Sequence, residues 1–145
     1  MEVKRIHEIT NSFLVNASEL AFIEEAEGTN ALLSDFYDLF KYLTSEEQTV
    51  TLFDELQIVM KYVSVQKSKY NDRFTIEIKN MEEYKSIYIL RSVILEYFDN
   101  IFSNIIEDVE GTVDYLLELE TGGGCSLKLV QKIGNKCLTY KKDIV

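Results

Sequence analysis

Ile6, Ile9, Phe13, Asn16, Leu20 and Ile23 recur at alternating spacings of three and four residues. That is the seam of an amphipathic helix, and it constrains the chain more than any other feature. The spacing predicts a first helix from about Val3 to Glu24, a turn around Gly28 in EEAEGTN, and a second helix marked by Leu32, Leu33, Phe36, Leu39, Phe40 and Leu43. Two helices joined by a short turn form a hairpin, and a hairpin cannot enclose its own apolar stripe. A second copy supplies the missing surface as a four-helix bundle across a two-fold axis, so a homodimer is expected. The competing arrangement packs the stripe against the remainder of the same chain.

Beyond the polar stretch TSEEQ, Thr51 is placed to cap a third helix, with Asp54 at the answering position. That helix carries Leu56, Val59, Met60 and Val63 and should end near the turn formers Asn71 and Asp72. FTIEIK, residues 74–79, alternates apolar and polar side chains as a half-buried strand does. A fourth helix is expected after NMEEYKS, with Ile94, Phe98, Ile101, Phe102 and Ile105 on its apolar face. VDYLLELE, TGGG and CSLKLVQK read as two strands around a flexible turn, and a last short strand is expected over Cys137 to Tyr140. The fold class is therefore α+β, a helical hairpin followed by a small α/β layer, with no internal repeat, no low-complexity linker and no proline.

A chain of 145 residues that is 46% hydrophobic can bury a real core but is too short for two large independent domains. Its formal net charge of -10 repels phosphate backbones and anionic headgroups, so neither nucleic acid nor a membrane surface is an expected partner. No apolar run approaches the roughly 20 residues of a membrane span, and MEVKRIHE lacks the apolar core of a signal peptide. A cytoplasmic location without membrane insertion is expected. Cys125 and Cys137 lack zinc-pair spacing, which predicts no metal site and reduced, mostly buried thiols, with a disulfide between them left open.

FYDLFKY, VTLFDEL and YVSVQKSKYNDRF follow one another at spacings that resemble the junction of the LytS/YesM-type sensor histidine kinases. Those kinases carry LSDLLRY, VTLEEEL and YLxIQKxRFGDRL in the same order, leading into a GHKL-type ATP-binding domain. The resemblance extends upstream, where their phosphoacceptor motif INPHFLFN aligns with ITNSFLVN: Ile9, Phe13, Leu14 and Asn16 match, and Ser12 stands in the place of the histidine. A serine hydroxyl forms no phosphoramidate and is a poor nucleophile without a dedicated base, so phosphorylation of the family type is not expected there. Downstream, YFDNIFSNI resembles the N box, with Asp99 and Asn100 in register as vestigial nucleotide and magnesium ligands. The adenine-binding DxGxG loop is replaced by KIGN, and TGGG precedes no helix, so it reads as a turn between strands and not as a phosphate cradle. No cofactor is expected. The resemblance implies a division into residues 1–48, a dimerising and phosphotransfer-like hairpin, and residues 49–145, a degenerate and reduced GHKL-like domain.

One other pattern bears on chemistry. HEITN holds the chain's single histidine, and His7, Glu8 and Asn11 have the HExxN form of the phosphorylation box of another histidine-kinase class. On a helix His7 and Asn11 share a face, flanked by Glu8, and imidazole titrates near neutral pH. Two functions follow. The first is a non-catalytic, pseudokinase-like regulatory module of two-component signal transduction, docking a response regulator or an intact histidine kinase. The alternative is a phosphorelay protein that passes phosphoryl groups through His7. Neither is an active ATP-dependent kinase.

Overall fold

The computed structural model describes residues 2–122 and 124–144. Gly123, inside the expected TGGG turn, lies outside the described residues. Helix α1 spans Val3–Ile23 and α2 spans Glu27–Leu43. The two run antiparallel, since the His7 ring near the start of α1 meets the Phe40 ring near the end of α2, edge to face at 5.8 Å. Their turn is centred on Glu25 and not on Gly28, which sits inside α2. Glu25 takes a left-handed φ of 55°. The amide of Ala26 bonds the Ala21 carbonyl at 2.9 Å and that of Glu25 bonds Phe22 at 3.1 Å. This pairing is the Schellman termination, which satisfies the last carbonyls of a helix. The geometry is reached here without the usual glycine, which is why the composition pointed to the wrong residue.

A short strand, β1 (Thr49–Thr51), leads into α3 (Leu52–Tyr70). Thr51 caps α3 as expected, its hydroxyl accepting from the Asp54 amide at 3.1 Å. The helix ends at Asn71, which takes a left-handed φ of 54°. Strand β2 (Phe74–Ile78) follows, then a single turn of tight helix at Met81–Tyr84, then β3 (Tyr88–Leu90), which pairs antiparallel with β1. The β1–β3 pair was not expected: each strand is too short for periodicity to show. Helix α4 (Val93–Ser103) ends before Ile105, which lies in the following turns. Strands β4 (Val113–Glu120), β5 (Ser126–Ile133) and β6 (Lys136–Asp143) complete the chain.

The larger sheet has the order β2-β4-β5-β6. Strand β4 runs parallel to β2, with Val113 beside Phe74, and antiparallel to β5, which is antiparallel to β6. A parallel pair needs a crossover connection, and α4 lies within it. Alternation along β4 and β5 buries Val113, Tyr115, Leu117, Leu127 and Leu129 on the face that meets α3 and α4. On the opposite face Lys128 pairs with Glu118 at 3.3 Å and Lys141 pairs with Glu120 at 2.9 Å. Phe102 is the aromatic centre of the core, against Phe74 at 4.7 Å, Tyr70 and Phe98 at 5.8 Å, and Tyr62 at 6.1 Å. Fully burying a side chain of this kind contributes roughly 1.5–3 kcal/mol.

The cysteines depart from expectation, because Cys137 is exposed and Cys125 only partly buried, and both are free. Cys137 lies opposite Lys132, whereas Cys125 precedes Ser126 at the other end of β5. Six strand residues separate the two places, about 20 Å, far beyond the roughly 7 Å that a disulfide spans between Cα atoms.

Candidate functional site

Three places carry the chemistry that the sequence points to: the two faces of α1, the middle of α4, and the junction where α2, α3 and α4 meet. On α1, the residues turned toward α2 are His7, Thr10, Leu14, Ala17 and Ala21, with Leu14 and Ala21 buried. The predicted seam is a different one, offset by a residue or about 100° around the helix. Ile6 is 46% exposed, Ile9 45%, Phe13 65%, Leu20 55% and Ile23 74%. The first helix thus has one apolar face used within the chain and a second, larger one left open.

His7 belongs to the used face. It is half-buried against Phe40. Glu8 is exposed and accepts from Arg5 Nη1 at 3.4 Å, one turn back. Asn11 is exposed, as is Ser12. The HExxN residues therefore share a helix but sit in different surroundings: the ring packed inward, the carboxylate paired with Arg5, the amide in solvent.

On α4, Asp99 accepts the hydroxyl of Tyr62 and that of Ser103, the latter at 3.0 Å. Burial, then the hydrogen bond and the charge of Asp99, push the Tyr62 phenol well above its ordinary range. Asn100, one residue on, is exposed. The structure therefore points Asp99 at α3 and Asn100 at solvent. Adjacent helical residues diverge by about 100°, and the two do not converge on one point. Among the described residues no group of three or more acidic, histidine or cysteine side chains could hold a metal ion.

The junction is where sequence reasoning missed a residue. Glu55, in VTLFDEL, is fully buried. Its carboxylate accepts the amides of Ser92 and Ile94, each at 2.8 Å, and the hydroxyl of Tyr42. Ser92 is the residue before α4, held at a left-handed φ of 71° with no cap from its own side chain. The orphan amides of a helix start need an acceptor, and a negative charge there is favoured by the helix dipole. Glu55 supplies both from another helix. Arg91 works on the opposite polarity: its guanidinium donates to the carbonyls of Tyr42 at 3.1 Å, Leu43 at 3.2 Å and Glu47 at 2.7 Å, closing the end of α2. Burial, then the bond to Glu55, holds the Tyr42 phenol protonated far above its usual range. The acid in VTLFDEL gave the available signal: it falls where the α3 periodicity calls for an apolar residue.

Further along the same two helices, Lys61 pairs with Asp35 at 3.0 Å and Asp38 at 3.4 Å, and Ser64 donates to Asp35 at 2.6 Å. Burial alone would raise the Asp35 carboxyl, but the bonds from Ser64 and Lys61 outweigh it and hold it below the ordinary range. Helix α2 is fastened to α3 along its length.

Residues 7–74 match the model of the histidine kinase family. The matched stretch, just under half of the chain, takes in α1 from His7 onward, α2 and α3, and so Tyr42 and Glu55 of the junction but not Arg91, Ser92 or Ile94. The match supports a histidine kinase relationship and, with it, a role in two-component signalling. No curated protein matches the chain. Among the described residues, no helix is long and apolar enough to cross a membrane.

Proposed function

We propose that the protein is a catalytically degenerate, histidine-kinase-like regulatory module that pairs with a second copy through α1 and docks a response regulator or an intact histidine kinase. The observation that carries this reading is the open face of α1. Ile6, Ile9, Phe13, Leu20 and Ile23 form an apolar stripe, interrupted by Asn16, that stays 45–74% exposed among the described residues, and stripes of this extent on a helix mark an association surface. All of the stripe except Ile6 lies within the stretch matched to the histidine kinase family. In the dimer, α1 and α2 of each copy would form the four-helix bundle, with residues 49–145 as a reduced GHKL-like domain beside it.

Several features favour binding over catalysis. Ser12 replaces the phosphoacceptor of the resembling kinases. Asp99 is engaged by Tyr62 and Ser103, while Asn100 faces away from it. The relay alternative needs Glu8 to act on His7, but Glu8 pairs with Arg5, and the imidazole packs on Phe40.

Light scattering of the wild type and of Phe13→Asp tests the association. The wild type should have the mass of a dimer and the variant that of a monomer, with unchanged helix content by circular dichroism. A monomeric wild type would remove the reading's main support. A pull-down with a purified receiver domain or kinase then tests docking. For the relay, a receiver charged with acetyl phosphate should leave no acid-labile phosphate on the chain; transfer that Phe40→Ala enhances and His7→Ala abolishes would favour the relay instead.

A further inference from the structure

We propose that the groove where α2, α3 and α4 meet binds a small lipophilic cation, a primary ammonium carried on a single aromatic or short aliphatic body. The groove encloses about 260 Å³, just below the range of roughly 300–1,000 Å³ typical of drug-sized sites. A one-ring ligand fits such a space. Phe36, Leu39 and Leu43 of α2 form one wall, Val65 of α3 and Leu95 of α4 the other. Phe36 and Leu43 remain 38% and 47% exposed, so the mouth is open.

The polar end decides the class of ligand. Its polar lining residues are the two acids Glu96 and Asp99, with Tyr62 and Gln66. No basic side chain lines the groove, α2 contributes only apolar groups, and among the described residues neither carboxylate takes part in an ion pair. Tyr62 and Ser103 fix the Asp99 carboxylate from one side, leaving lone pairs for a further donor. Glu96 lies three residues earlier on the same helix face. An ammonium gives Asp99 a charge-assisted hydrogen bond and is attracted to the aromatic surface of Phe36 and Tyr62. An anion meets two like charges, and a neutral apolar molecule leaves the carboxylates without compensation. The net charge of -10 adds a favourable field for cations over the whole molecule. Because the walls belong to α2 on one side and to α3 and α4 on the other, an occupant ties the helical pair to the α/β layer. The site stands independently of the partner-docking reading.

The test is an amide NMR titration of the full chain with phenethylamine, and with 2-phenylethanol and 3-phenylpropionate as neutral and anionic matches. The amine should give saturable shifts centred on the amides of Leu43, Val65, Leu95 and Asp99. The alcohol should bind at least tenfold more weakly and the carboxylate not at all. Asp99→Asn should weaken the amine about tenfold, the loss of a hydrogen bond to a charged group. Glu96→Gln, at an exposed position that leaves the fold intact, should weaken it about threefold and leave the alcohol unchanged. Equal binding of all three probes, no saturable shift, or shifts centred on Ile6 and Phe13 would overturn the proposal. So would saturation of the same amides by raised protein concentration alone, which would place a second copy in the groove.

Discussion

Glu55 shows how much one side chain can organise. From within α3 it accepts the amides of Ser92 and Ile94 at the head of α4 and the phenol of Tyr42 on α2, so its removal orphans the buried Ile94 amide and leaves the Ser92 amide only the longer contact to the Tyr42 hydroxyl at 3.4 Å. Leaving a buried donor unpaired costs about 1–3 kcal/mol. Glu55→Ala should therefore lower the unfolding free energy by about 3 kcal/mol in urea melts, and Tyr42→Phe by only about 1 kcal/mol, since the Ser92 and Ile94 amides both keep Glu55 as their acceptor. A loss below 1 kcal/mol for Glu55→Ala would mean that solvent reaches the junction. The cysteines give a second check at this scale. Cys137 should react with a thiol reagent at the rate of an unfolded peptide and Cys125 several-fold more slowly, and oxidation should give no internal disulfide, read as intact mass. The sequence held one sign of the buried role of Glu55, an acid where the α3 periodicity calls for an apolar residue, but that sign is ambiguous, because an acid in the first turn of a helix is also what an exposed, dipole-compensating residue looks like.

At the level of elements, the α1–α2 connection is the most tractable. Glu25 carries a left-handed conformation that costs a residue with a Cβ roughly 1–2 kcal/mol, and glycine adopts it freely. Glu25→Gly should raise stability by up to about 1 kcal/mol, or about 3 °C in melting temperature for a chain of this size, by scanning calorimetry; a lower melting temperature would show that the Glu25 side chain makes a contact of its own. The helices themselves were readable from period alone. Thr51 at the head of α3 and Asn71 at its end behave as their side chains predict. What period alone left open was the packing: Ile6, Ile9 and Phe13, on the seam read from the sequence, stay exposed, and the neighbouring helix packs on His7, Thr10 and Leu14. Hydrophobicity says that a face will be covered. It does not say by which chain.

For the molecule as a whole, the tyrosines set the alkaline limit. Tyr42, Tyr62, Tyr84, Tyr97 and Tyr115 all have phenols raised above the ordinary value, with burial the largest cause in each. Below about pH 10 they are protonated in the folded and unfolded chain alike, and their contribution is fully present. Above it the unfolded chain ionises first and binds fewer protons, so stability falls as pH rises. Unfolding by far-UV circular dichroism should set in above about pH 10, together with the tyrosinate absorbance of these residues; tyrosinate absorbance from all of them in a chain still folded would contradict their burial.

The amino-acid order by itself determined the four helices, the strands of the larger sheet, and the likeness to a histidine kinase over the first half, because these rest on local periodicity, capping and short motifs. The β1–β3 pair, the inward use of His7, the divergence of Asp99 and Asn100, and the Glu55 junction were decided only in three dimensions. Each depends on which groups from distant segments arrive at one place, and the balance there between desolvation and hydrogen bonding is a property of the assembled neighbours and not of any residue alone.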